Sequence, residues 1–156
     1  MTSKERVLAR EHENGRVVGY ADATALQEKS STMTGTQLNA ETEKIPGFQA
    51  AKSKQNMLTR KAGMTDGFVC KSSAGRVVRL LQNYDSNIYT QEPEDLPAQW
   101  GFVWSNDPVH AKPFVAISTS PYMKGNCCSE DDKVYRSLQD NNVHAPSAWP
   151  SGWELA

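Results

Sequence analysis

The stretch Trp100-Gly101-Phe102-Val103-Trp104 decides what kind of fold the chain can adopt. Three large aromatic residues alternate here with two smaller ones. A period of two is typical of a β-strand, because successive side chains of a strand point to opposite faces. The stretch therefore predicts a strand with one aromatic face, and such a face lines either a hydrophobic core or a ligand site.

Further short strands are predicted on both sides of this stretch. Residues 67–70 and 87–90 read as extended segments, and residues 76–81 fit either a buried strand or a short helix. Residues 113–118 form an apolar run that starts with a proline, which suits the first position of a strand. The second half of the chain therefore predicts several short strands.

One helix is predicted in the same half, after the sequence Ser129-Glu130-Asp131-Asp132. A serine followed by an acid three residues later is similar to a capping box, in which side chains bind the free amides of the first helical turn. Val134, Tyr135 and Leu138 would then share one apolar side. We expect a helix over about 130–140.

The two parts of the chain differ in charge and in aromatic content. Residues 1–80 carry 13 Lys and Arg against 8 Asp and Glu, whereas residues 81–156 carry 4 against 10. Ten of the thirteen aromatic residues also lie in the second part. We therefore expect a basic, aromatic-poor arm over 1–65 and a small aromatic-rich module over 66–156, which ends in a Trp/Pro tail over 141–156.

The arm is predicted to be extended and only partly helical. Pro46 suits the first turn of a helix over about 47–61, whereas residues 30–37 read as a polar loop. A helix of this length needs a partner surface, because isolated helices are marginally stable. We expect basic residues near this helix to contact an acidic protein surface, together with two tryptophans of the tail. These partner-binding candidates are Lys52, Lys54, Arg60, Lys61, Trp149 and Trp153.

Several chemistries find little support in the sequence. Cys127 and Cys128 are adjacent and no spacing of His and Cys fits a metal site, so we predict no metal and no cofactor. A cysteine nucleophile would need His110 or His144 as its base. Phosphate-binding glycine loops are absent from the sequence. Nucleic-acid binding is disfavoured because few aromatic residues accompany the basic ones.

One segment has a counterpart in a known enzyme family. The run Phe114-Val115-Ala116-Ile117-Ser118-Thr119-Ser120 resembles the apolar strand ending in Ser-Thr-Ser of arginine-type mono-ADP-ribosyltransferases. The resemblance implies that Ser118 and Ser120 shape an NAD site, that Arg79 holds the cofactor and that Glu154 acts on the acceptor. A small NAD-dependent transferase is therefore the alternative function.

The first expectation is a non-enzymatic protein. The fold class predicted is α+β with much irregular structure, and the function predicted is a structural or interaction subunit that docks onto a larger protein assembly, such as a filament wall or a capsid. A module that binds a small molecule on its aromatic strand stays open. The N-terminal residues are polar and no long apolar segment occurs, so we expect an intracellular protein without a signal peptide or a membrane span.

Overall fold

A computed structural model describes residues 20–53, 68–82 and 88–156. Within these residues, three α-helices precede the strands: α1 (Tyr20–Lys29), α2 (Gly35–Asn39) and α3 (Phe48–Ser53). Short 3-10 helices connect several elements, at Ser30–Thr32, Thr42–Lys44, Pro93–Asp95, Pro108–His110 and Pro150–Gly152. The helix predicted over 47–61 is present in its first part, and its remainder lies outside the described residues.

The strands form two small sheets. In the first, β1 (Val69–Lys71), β2 (Val77–Leu80) and β3 (Trp100–Phe102) are antiparallel and lie in chain order. In the second, β4 (Lys112–Pro113) is parallel to β5 (Cys127–Glu130), which is followed by antiparallel β6 (Lys133–Ser137) and β7 (Trp153–Leu155). Helices, two sheets and long irregular connections confirm the predicted α+β class.

The helix predicted over 130–140 is wrong, because these residues form the β5–β6 hairpin. Glu130 faces Lys133 across the turn, and the two central residues, Asp131 and Asp132, have φ values of 52° and 63°. A two-residue hairpin turn of type I′ needs the left-handed conformation at both central positions, and aspartate accepts it more readily than most residues. Asp131 and Asp132, which predict the start of a helix in the sequence, therefore form the turn of a hairpin.

The aromatic strand lines the core between the two sheets. The Trp104 ring stacks on Tyr122 with centroids 4.2 Å apart, and Tyr122 also packs against Phe114 and the edge of Trp153. All three aromatic residues of the opening stretch are buried. The strand predicted over residues 100–104 is confirmed over Trp100–Phe102, and the aromatic residues of the stretch are covered by the protein itself.

The helices close a second cluster on the first sheet. Leu26, Leu38 and Ile45 pack against Val69 of β1 and Val77 of β2, and all five side chains are buried. The described part of the predicted arm therefore contributes to the core. The domain boundary predicted near residue 65 lies outside the described residues and stays a prediction.

Candidate functional site

The three cysteines of the chain are buried. Burial is the main cause that raises the pKa of Cys128 to about 12, and it also raises the pKa of Cys70 and Cys127. A thiol acts as a nucleophile only as the thiolate, so this environment opposes cysteine catalysis. No group of three or more His, Cys, Asp or Glu residues in the described parts of the chain is arranged to hold a metal ion.

The transferase alternative rests on Arg79, Ser118, Ser120 and Glu154. None of these four side chains hydrogen-bonds to another of them among the described contacts. Arg79 on β2 donates to the Ser30 carbonyl oxygen at 3.1 Å, on the face of the first sheet that the helices cover. Ser120 accepts from the Phe102 N–H, at the outer edge of the same sheet, and its neighbour Ser118 is exposed. Glu154 is exposed on β7 of the second sheet. The transferase function stays a prediction.

The partner-binding candidates differ in where they lie. Trp153 is 5% exposed in the core, and its indole N–H donates to the His144 carbonyl oxygen at 2.7 Å. Trp149 is 36% exposed and packs edge-on against the His144 ring. Lys52 belongs to α3. Lys54, Arg60 and Lys61 lie outside the described residues.

A cavity of about 350 Å³ opens between the start of α3, the end of β1 and β4. Its wall includes two lysines, Lys71 and Lys112, from the two sheets. Phe48, Gln49 and Ser73 contribute to the rest of the wall. The isolated bridge between Gly47 and Lys71 joins the start of α3 to β1, which fixes the geometry of this corner.

The two lysines give one wall of the cavity a positive charge. Lys71 Nζ donates to the Thr42 carbonyl oxygen at 2.9 Å. Partial burial, and then the charge of Lys71, lower the pKa of Lys112. Both described salt bridges lie elsewhere, so neither lysine is paired with a carboxylate among the described residues. An anion in the cavity would relieve the repulsion between these ammonium groups.

Two carboxylates lie on the side of Ser72 and Ser73. Glu94 is paired with Arg76 at 2.8 Å and accepts from the Ser72 hydroxyl, so its charge is compensated. Glu92 accepts from both the N–H and the hydroxyl of Ser73, each at 2.9 Å, and contacts the Gln49 amide. The cavity therefore has a basic wall and one acidic rim.

A second feature concerns the edges of the two sheets, three of which are closed by distant side chains. The Gln27 amide binds both the N–H and the carbonyl oxygen of Val69 at the edge of β1. The Ser120 hydroxyl accepts from Phe102 at the edge of β3. Beside β4, the guanidinium of Arg76 donates to the carbonyl oxygens of residues 113 and 114.

The fourth edge, the outer side of β7, is open at Leu155 among the described residues. Leu138 donates to Gly152 and Ala156 donates to Val134, and bonded pairs alternate along an antiparallel ladder. The backbone groups of Trp153 and Leu155 therefore point away from β6. The Trp153 N–H donates to the Pro150 carbonyl oxygen within the preceding 3-10 helix, whereas the Trp153 carbonyl oxygen and the N–H and carbonyl oxygen of Leu155 have no hydrogen-bond partner within residues 20–53, 68–82 and 88–156. The Leu155 side chain is 66% exposed at this edge.

These two features were missed from the sequence for different reasons. Lys71 belongs to residues 1–80, which carry most of the basic residues, but Lys112 is the first Lys or Arg after Arg79, and no local pattern pairs them. Strand β7 follows a segment rich in proline and glycine, which predicted irregular structure. It pairs with β6, which is distant in sequence, and a strand of three residues is too short to show a period.

No helix in the parts of the chain that the structure describes is both long enough and apolar enough to cross a membrane. No protein family, no curated protein and no solved structure matches this chain. Its side chains and its sheet edges are therefore the basis on which a function can be proposed.

Proposed function

We propose that the chain is a non-enzymatic interaction subunit that docks onto a larger protein assembly, such as a filament wall or a capsid. The open outer edge of β7 carries this proposal. Unpaired edge strands are templates for pairing with another chain, and folded proteins usually cover them. Here three edges are covered by specific side chains, whereas no described residue covers the fourth edge at Leu155, whose side chain is exposed.

A partner can use this edge by adding a strand to the second sheet. Its backbone would pair with the outward carbonyl oxygen of Trp153 and with the outward N–H and carbonyl oxygen of Leu155, because the Trp153 N–H is already bonded to Pro150. This pairing would supply most of the affinity. A pocket on the partner for the Leu155 side chain would supply specificity. Trp149, the other large apolar side chain that this part of the chain exposes, is a second candidate contact.

An acidic surface on the partner remains part of the proposal. It rests on the basic first half of the sequence, in particular on Lys52, Lys54, Arg60 and Lys61. Complementary charge speeds association and fixes orientation more than it adds affinity. The strand edge and the basic residues would therefore have different roles, the first in affinity and the second in encounter.

The described chemistry favours binding over catalysis. The thiols are buried with a raised pKa, and the hydrogen bonds of Arg79 and Ser120 go to structural partners. Ser120 is engaged with the backbone of β3, so its hydroxyl serves the fold. These observations support the interaction subunit and give no support to the transferase alternative.

The test places a photo-crosslinking residue at position 155 of the full chain, in the cells that make it. The matched control carries the same residue at Val109, which is 83% exposed and lies in a 3-10 helix that is not part of the β7 edge. We expect the probe at 155 to yield one prominent protein adduct and the probe at 109 to lack that adduct. The Leu155→Pro substitution should abolish association, because proline removes an outward N–H.

Leu155→Pro should leave folding intact, since β6 does not use the N–H of residue 155. A melting curve close to that of the original chain checks this point. The proposal is wrong if the full chain migrates as a free monomer in lysates and gives no adduct at 155. It is also wrong if Leu155→Pro melts normally and the complex persists.

A further inference from the structure

We propose that the cavity between α3, β1 and β4 binds a phosphate group, either free or carried by a small organic molecule, against Lys71 and Lys112. This inference is independent of the proposed docking function, because the cavity and the β7 edge are formed by different elements. The two lysines come from different sheets, so the site exists only in the folded chain.

The charge arrangement argues for an anion. Two lysines line one cavity, and neither is paired with a carboxylate among the described residues. The effect of Lys71 on the pKa of Lys112 places the two charges within electrostatic reach of each other. Folding has brought like charges together at a partly desolvated site, which costs free energy unless a counter-charge arrives.

The number of charges argues for phosphate over a single carboxylate. A phosphate monoester carries about −1.5 to −2 charges at pH 7, which matches two lysines, whereas a carboxylate carries one. The volume of about 350 Å³ lies in the range of small-molecule sites and leaves room beside the phosphate for an organic part. Lysine is an ordinary phosphate ligand in proteins.

The carboxylate of Glu92 limits where an anion can lie in the cavity. This carboxylate is held by Ser73 and Gln49, both of which line the cavity, and its negative charge opposes an anion nearby. The phosphate must therefore lie at the lysine wall, with Glu92 facing the remainder of the ligand. Glu92→Gln should tighten the binding of inorganic phosphate, since it removes this repulsion and keeps an oxygen acceptor.

The experiment titrates the full chain with inorganic phosphate at constant ionic strength and follows backbone and lysine side-chain NMR signals. We expect saturable shifts at residues around the cavity and a rise in the pKa of Lys112. Lys112→Met should weaken binding about tenfold or more, because charge-assisted hydrogen bonds are among the stronger ones. Lys112→Arg should keep most of the affinity. A parallel titration with glycerol phosphate distinguishes the sources, since tighter binding than inorganic phosphate identifies an organic ester.

The matched control is Lys133→Met, which removes an exposed lysine of β6 outside the cavity. We expect its phosphate affinity to equal that of the original chain. Lys71→Met is the less clean variant, because Lys71 also hydrogen-bonds to Thr42. Absence of saturable shifts in the original chain would overturn the inference. Equal weakening in Lys112→Met and Lys133→Met would also overturn it, since phosphate would then respond only to net charge.

Discussion

Gly35→Ala should destabilise the protein strongly, because α2 begins in direct contact with the backbone that comes after β3. A Cβ at position 35 would lie 2.2 Å from the Trp104 carbonyl oxygen, more than 1 Å short of an ordinary contact. The obstacle is backbone, so no side-chain rotation can relieve it. Either α2 or the chain at Trp104 has to move.

The size of the effect depends on the contacts that such a movement would break. Insertion of a methyl group into a close-packed contact costs about 1–3 kcal/mol. The movement also strains two hydrogen bonds, from Asn39 to the Val103 carbonyl oxygen and from the Asn106 N–H to Thr36. Each contributes about 0.5–1.5 kcal/mol, whereas alanine adds up to about 1 kcal/mol of helix propensity. We expect a net loss of about 2–4 kcal/mol in the free energy of unfolding.

Thermal and urea unfolding, followed by circular dichroism, measure this loss. A chain of this size loses about 2–4 °C of Tm per kcal/mol, so the expected decrease is roughly 4–16 °C. Gly47→Ala is the matched control, because a Cβ there meets no atom within 4 Å. Its change should stay within about 1 kcal/mol. Equal melting of the two variants would refute the reasoning, since α2 would then not be seated against Trp104.

Two further predictions concern the buried polar groups. Ser120→Ala should lower the free energy of unfolding by about 1–3 kcal/mol, because the Phe102 N–H loses its acceptor, whereas the exposed Ser118→Ala should be nearly neutral. Similar costs in a urea titration would contradict this assignment. Stability should also fall at alkaline pH, because burial raises the folded-state pKa of four groups: Cys70, Cys127, Cys128 and Tyr122. A raised pKa contributes stability that is complete below the unfolded thiol value of about 9 and is lost as pH rises toward the folded values. Urea midpoints at pH 7 and pH 10 measure this decrease, and equal midpoints would contradict it.

Local patterns in the sequence predicted the strands with large side chains. The alternation of Trp100, Phe102 and Trp104 specifies one buried face by itself, and it is found where it was expected. The apolar run over 113–118 was predicted as a strand, but only Lys112–Pro113 pairs with a neighbour. After Pro113, the Phe114 N–H still donates to the Ser129 carbonyl oxygen, and stacking of Phe114 on Tyr122 helps to hold the rest of the run. Hydrophobicity therefore predicted burial better than it predicted pairing.

Patterns that depend on one or two polar residues were less decisive. Ser129 to Asp132 has the spacing of a helix start, yet both aspartates adopt the left-handed conformation of a turn. By contrast, Thr34 and Gln37 form a complete capping box at the start of α2, inside the segment that predicted a loop. The two boxes look alike in sequence. The residues after each box make the difference. Leu38 of α2 is buried against the first sheet, whereas Val134 and Tyr135 of β6 pair with Ser129 and Cys128 of β5.

The open edge of β7 could not be predicted from the sequence. An edge is recognised as open only when the side chains that close the other edges are known, and these come from distant positions. Gln27 closes β1 from 42 positions away, Arg76 closes β4 from 37 positions away, and Ser120 closes β3 from 18 positions away. Nothing in the local sequence of Gln27, Arg76 or Ser120 distinguishes them from surface polar residues. Three independent closures are hard to ascribe to chance, since each one satisfies backbone groups that would otherwise attract another chain. An edge that lacks such a closure in the same protein is therefore the place where a partner strand is expected.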